Sequence, residues 1–161
     1  MHRIKAREIA QGGIIAALYV VLTLISHSFG LANGMIQIRV SEALCILPVF
    51  TGCAVPGLFA GCFLSNLITG CALPDVVFGS LATLLGAFGT RMLKDHGILS
   101  FLPPVAVNTI VVPILLSEVY GVRAAWPVLA ACTFAGEAVS AGLLGFLLRS
   151  VLKKYRGQLF Q

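Results

Sequence analysis

Residues 9–26 read IAQGGIIAALYVVLTLIS, an unbroken stretch without a charged side chain, directly behind the basic residues Arg3, Lys5 and Arg7. At about 1.5 Å of rise per residue, such a run covers most of a hydrocarbon layer roughly 30 Å thick. A basic cluster followed by an apolar run also opens a secretory signal peptide. The next residues, 27–34 (HSFGLANG), offer no small-x-small cleavage site, so a retained transmembrane helix is expected.

The rest of the chain repeats the pattern. Of its 161 residues 58% are apolar and 11% charged, and the mean hydropathy is +0.99. A soluble domain carries roughly 25% charged residues to keep its surface wet. Most of this surface must therefore face lipid. Further apolar runs cover 38–50, 54–69, 75–92, 100–117 and 124–148, separated by turn signals at Thr51-Gly52, 70–74, Asp95-His96-Gly97 and 120–123. The expected fold is an all-α integral membrane bundle of six transmembrane helices, one membrane domain over 1–161. The run 38–50 is short for a span and contains Pro48. Pro56 falls where a first helical turn tolerates proline, and Asp75 is placed to cap the helix that follows it.

Lysine and arginine orient the bundle. With six spans, Arg3, Lys5, Arg7, Arg91, Lys94, Arg149, Lys153, Lys154 and Arg156 share one side, against Arg39 and Arg123 on the other. Nine against two puts both termini in the cytoplasm. The same placement, at chain ends and in one middle loop, argues against a nucleic-acid-binding face. The cysteines at 45, 53, 62, 71 and 132 form no CxxC pair and have no histidine at ligand spacing. They read as small apolar residues, with a disulfide at Cys71 as the alternative.

Ionisable groups inside a bilayer cost about 2.5–3.5 kcal/mol each on insertion scales, and they usually face a bundle interior or a cavity. Glu137, near the middle of 124–148, is the strongest case; it serves a ligand, forms a structural ion pair, or stands as a protonated, hydrogen-bonded carboxyl group. Arg39 and Glu42, three apart, share a helical face and either neutralise each other or face a ligand. Asn66 and Asn108 are amides in apolar surroundings, suited equally to helix–helix hydrogen bonds and to nucleobase edges. In the expected topology Arg39, Glu42, Asn66, Asp75, Asn108, Glu118 and Trp126 lie in the outer half. That is the layout of a pocket open to the exterior and closed to the cytoplasm. On the first helix, Ala6/Ala10, Gly12/Ala16 and Gly13/Ala17 have the small-xxx-small spacing that permits close helix approach, within the bundle or with a partner.

Other chemistry finds little support. There is no HExxH pair and no Walker-type phosphate loop, and His2, His27 and His96 fall in termini or loops. The chain is expected to be no enzyme, to need no cofactor of its own and to bind no metal. A channel would show a repeated pore motif, and none is present.

Residues 36–44 (IQIRVSEAL) with Leu47-Pro48, the pattern Pro56-Gly57-Leu58…Ser65-Asn66-Leu67, and 75–85 (DVVFGSLATLL) resemble the queuosine-precursor transporter family. The opening Arg7-Glu8-Ile9-Ala10…Ala16-Ala17-Leu18-Tyr19 is similar to that family's first helix, so the resemblance runs over most of the chain. These QueT-type proteins are substrate-binding subunits, or S-components, of energy-coupling factor transporters. The resemblance implies a six-helix S-component in a prokaryotic plasma membrane, working with a scaffold membrane subunit and two ATPase subunits that use the ATP. It implies a deazaguanine queuosine precursor as substrate, with the aminomethyl form expected. It favours partner docking for Gly12, Gly13, Ala16 and Ala17. For such a base, Glu137 and Glu42 are the carboxylates expected for the guanine-like edge and the ammonium. Asn66 and Asn108 would read the remaining edge, Arg39 and Asp75 would line the site, and Phe78 or Trp126 would stack on the ring. Two alternatives stand beside this reading: an S-component for another vitamin-like nutrient, and a stand-alone secondary transporter with Glu137 as its proton-coupled carboxylate.

Overall fold

The structure, a computed structural model, describes residues 6–32 and 34–159, with side chains through residue 155. Arg3, Lys5 and Asn33, and the side chain of Arg156, lie outside the described residues. Six α-helices follow one another: α1 (Ala6–Ser28), α2 (Ala54–Ile68), α3 (Leu73–Met92), α4 (Leu102–Glu118), α5 (Trp126–Glu137) and α6 (Gly145–Leu159). A 3-10 segment, Val40–Val49, lies between α1 and α2, and a 3-10 turn, Gly97–Phe101, leads into α4. A π-helical segment, Ala138–Leu144, joins α5 to α6. There is no strand among the described residues.

Four stretches are long and apolar enough to cross a membrane: Ala6–Ser28, Leu73–Met92, Gly97–Glu118 and Trp126–Tyr155. The last is continuous through the π segment and outruns the expected 124–148. The other two apolar elements are shorter than the six-span expectation requires. Helix α2 has 15 residues, about 22 Å at α-helical rise. The segment Val40–Val49 has 10, about 20 Å at 3-10 rise. Residues Ser41 to Pro48 are all buried, so this segment is an inner post rather than a lipid-facing helix. Proline 48 lacks the amide that regular helix continuation would use. Lipid-type exposure is instead found on α1, where Ile9, Ile14, Leu18, Val21 and Ile25 all face outward.

Helix α1 pins this post with one face. Tyr19, Thr23 and Ser26 recur at i, i+4 and i+7 and point the same way. The Tyr19 hydroxyl donates to Glu42 Oε1, Thr23 Oγ1 donates to Ser41 Oγ at 2.8 Å, and Ser26 Oγ accepts from the Val40 amide at 3.0 Å. At the other end Arg91 Nη1 donates to the Pro48 carbonyl at 2.9 Å. Ile15, Tyr19, Leu44, Leu47, Leu58 and Ala87 form the core around it.

Small residues close α1 onto α2. A Cβ on Gly57 would lie 2.7 Å from the Gly12 carbonyl oxygen; one on Gly61 would lie 2.9 Å from that of Ala16 and 2.7 Å from Tyr19 Cβ. Gly12 and Ala16 therefore belong to the α1–α2 interface inside the bundle. Gly13 and Ala17 are exposed, and a Cβ on Gly13 would meet nothing within 4 Å. Gly61→Ala is expected to destabilise the protein by about 1–3 kcal/mol, the usual cost of overpacking. Thermal unfolding in detergent checks it, with Gly13→Ala as a near-neutral control.

The remaining expectations resolve simply. Asp75 does not cap α3: the N-cap is Ala72, without a side-chain cap bond, and Asp75 sits inside the first turn. All five cysteines are free thiols, so Cys71 has no disulfide. The turns at Gly70, Gly97 and Gly121 each hold a left-handed glycine.

Candidate functional site

The polar residues gather at one end of the bundle. The loop after α1, the C-terminal end of α2, the first turn of α3 and the end of α4 enclose a cavity of about 320 Å³. Pockets for small ligands begin at about this size. The basic ends of α3 and α6, with Arg91, Arg149, Lys153 and Lys154, lie at the opposite end. Behind the cavity is a second pocket of about 30 Å³, reaching Glu42, Asn108, Thr133 and Glu137. Gln37, Arg39, Asp75, Leu116 and Tyr120 line both spaces, so they form the ring between vestibule and inner pocket.

Hydrogen bonds fix this ring. Tyr120 Oη donates to Asp75 Oδ2 at 2.7 Å and accepts from the Ala72 amide at 3.3 Å, tying the end of α4 to the start of α3. Partial burial, and then the Asp75 carboxylate, push the Tyr120 hydroxyl above the usual phenol range, so it remains a donor at neutral pH. Arg39 Nη1 donates to Asn66 Oδ1 at 3.3 Å. Gly79 keeps the space beside Asp75 open: a Cβ there would stand 2.9 Å from Asp75 Oδ1 and 3.3 Å from Asn66 Nδ2.

The two inner carboxylates differ. Glu42 has both oxygens engaged, Oε1 by Tyr19 and Oε2 by the Cys45 thiol at 3.1 Å. Arg39 and Glu42 share no direct hydrogen bond; their polar contacts are Asn66 for one and Tyr19 and Cys45 for the other. Glu137 accepts from Asn108 Nδ2 through Oε1 at 2.9 Å, while its Oε2 is buried with no hydrogen-bond partner in the protein. Thr133 Oγ1 and Arg39 Nε are likewise buried and unpartnered. Buried polar atoms are nearly always paired; of the four unpaired ones among the described residues, these three belong to residues that line the inner pocket, and the fourth is Ser140 Oγ.

Of the expected site residues, Arg39, Asn66 and Asp75 line the vestibule, and Arg39, Glu42, Asp75, Asn108 and Glu137 line the inner pocket. Phe78 and Trp126 are 56% and 50% exposed and line neither space. Their rings face the surroundings of the bundle. The aromatic in position is Tyr120, hidden from sequence reading because it sits in a polar turn. Gln37 and Thr133 were also missed, although each lies two to four residues from a residue already chosen.

The model of one protein family, the QueT transporter, matches residues 9–154, nearly the whole chain. The chain belongs to the QueT transporter family. No curated protein and no solved structure matches it. Family membership makes it a membrane transport protein for a small molecule. For a QueT family member, the vestibule and inner pocket are the natural place for that molecule.

Proposed function

We propose that this protein is the substrate-binding S-component of an energy-coupling factor importer, capturing a deazaguanine queuosine precursor in its aminomethyl form from outside a prokaryotic cell. The observation that carries the reading is Glu137: a buried carboxyl group held by Asn108 through one oxygen, unpaired at the other, and lining the inner pocket behind the vestibule. A carboxylate is the strong acceptor that the N–H-rich edge of a guanine-like base requires. Asp75, on the ring between the two spaces, is the carboxylate assigned to the cationic aminomethyl group, since both oxygens of Glu42 are engaged. Tyr120 is assigned the stacking role.

In this reading six apolar segments cross the membrane, α2 and the 3-10 post spanning only with local thinning or burial. Both termini are cytoplasmic, and the vestibule, at the end away from the basic residues, opens outward. Energy comes from a scaffold subunit and two ATPases. The exposed Gly13 and Ala17 on α1 are the docking positions, with Gly12 and Ala16 supporting them through α2. Gly13→Leu is expected to leave ligand binding and thermal stability within error while abolishing co-purification with the scaffold.

Uptake of labelled base in cells that carry or lack the scaffold and ATPases tests the coupling. Uptake that needs all of them, with competition by deazaguanines and not by vitamins, supports the S-component. Uptake without them would instead make the protein a stand-alone carrier.

A further inference from the structure

The inner pocket is small, and its unpaired atoms are of definite kinds. Arg39 Nε is a donor, Glu137 Oε2 in its carboxylate form an acceptor, and Thr133 Oγ1 a hydroxyl that can do either. All three residues line the same space of about 30 Å³. Glu137 and Thr133 are more than nine-tenths buried, at 9% and 5% exposure. The other end of each charged group is tied down, Glu137 Oε1 by Asn108 and Arg39 Nη1 by Asn66. A donor and an acceptor held in one small space complement an acceptor and a donor on neighbouring ligand atoms.

We infer that the inner pocket reads the lactam edge of a planar heterocycle, with Arg39 Nε donating to the ring carbonyl oxygen and Glu137 Oε2 accepting the adjacent ring N–H. The pocket has room for such an edge and not for a ring: one water-sized site takes about 10–15 Å³, so 30 Å³ holds two or three polar atoms. The ring body then occupies the 320 Å³ vestibule, against Tyr120. Thr133 takes whatever hydrogen bond the neighbouring exocyclic position offers. An aminated edge in the same orientation would set donor against donor at Arg39 and acceptor against acceptor at Glu137. Sites built on buried hydrogen-bonding groups reject such mismatches strongly, because the site's own groups are left unpaired.

The inference rests on the proposed deazaguanine site and is separable from it. The intact chain, in detergent or lipid nanodiscs, is titrated with 7-aminomethyl-7-deazaguanine, with 7-aminomethyl-7-deazahypoxanthine, which keeps the lactam and lacks the 2-amino group, and with 7-aminomethyl-7-deaza-2,6-diaminopurine, which replaces the carbonyl with an amine. The deazahypoxanthine is expected to bind within about tenfold of the deazaguanine, and the diaminopurine about a hundredfold weaker or worse. In Glu137→Gln the new amide keeps its oxygen on Asn108 and presents N–H where the carboxylate accepted. Discrimination between the oxo and amino bases should then collapse. Equal binding of the oxo and amino bases by the unaltered protein would overturn the lactam assignment while leaving the deazaguanine reading intact. Binding of none of the three would overturn both.

Discussion

Glu137→Gln is expected to lower affinity for the deazaguanine base about a hundredfold while the protein folds at least as stably as before. The two effects have one source. Glu137 is buried with one oxygen unpaired, and a buried polar group without its hydrogen bond costs stability. Glutamine has the same shape, can still accept from Asn108, and carries no charge to desolvate. The ligand loses more than the fold gains, because truncating one partner of a buried, charge-assisted pair typically costs 2–5 kcal/mol. Isothermal titration for binding and thermal unfolding without ligand separate the two. A parallel loss of both would make Glu137 a structural residue.

Among the described glycines, Gly136→Ala should be the most damaging added methyl. A Cβ at position 136 would stand 2.1 Å from the Gln37 carbonyl oxygen and 3.0 Å from its carbonyl carbon. Both are backbone atoms that cannot rotate away, so the segment carrying Gln37 and Arg39 has to move off α5. Overpacking commonly costs about 1–3 kcal/mol and sometimes more, and this contact is far closer than real Cβ atoms tolerate. The displaced segment also forms part of the ring between vestibule and inner pocket. Unfolding temperature and ligand affinity are therefore expected to fall together, which distinguishes this variant from Glu137→Gln. Unchanged affinity in Gly136→Ala would mean that the Gln37 segment plays no part in the site.

Much of the fold was legible because hydropathy and charge are additive along a chain. The apolar runs and their breaks emerged as helices and turns, with left-handed glycines at Gly70, Gly97 and Gly121. The role of residues 38–50 was less legible. A short apolar run reads alike whether it faces lipid or fills a core, and only the partners Tyr19, Thr23 and Ser26 reveal it as a post. Docking and packing on α1 were confounded for a related reason. Gly12 and Gly13 differ by about 100° around the helix, and no one-dimensional pattern tells which direction α2 occupies.

The candidate site divides in the same way. Glu137, Asn108, Arg39 and Asp75 stood out because polar groups in apolar runs are costly and therefore informative. Glu42 stood out equally, but its oxygens turn out to be engaged by Tyr19 and Cys45, a fact of three-dimensional contact. Phe78 and Trp126 line neither space, and an aromatic facing lipid and one facing a ligand have the same sequence context. Tyr120 escaped because turns are where polar aromatics are expected for ordinary reasons.

The most direct measurement is the thermal stability of the purified protein with and without the aminomethyl deazaguanine base, with guanine as control. A ligand that binds only the folded state adds RT ln(1 + [L]/Kd), about 2.7 kcal/mol at a hundredfold excess over Kd. The expected result is a large upward shift with the aminomethyl base and little or none with guanine. A protein that remains folded and shows no shift with the aminomethyl base would contradict the substrate assignment.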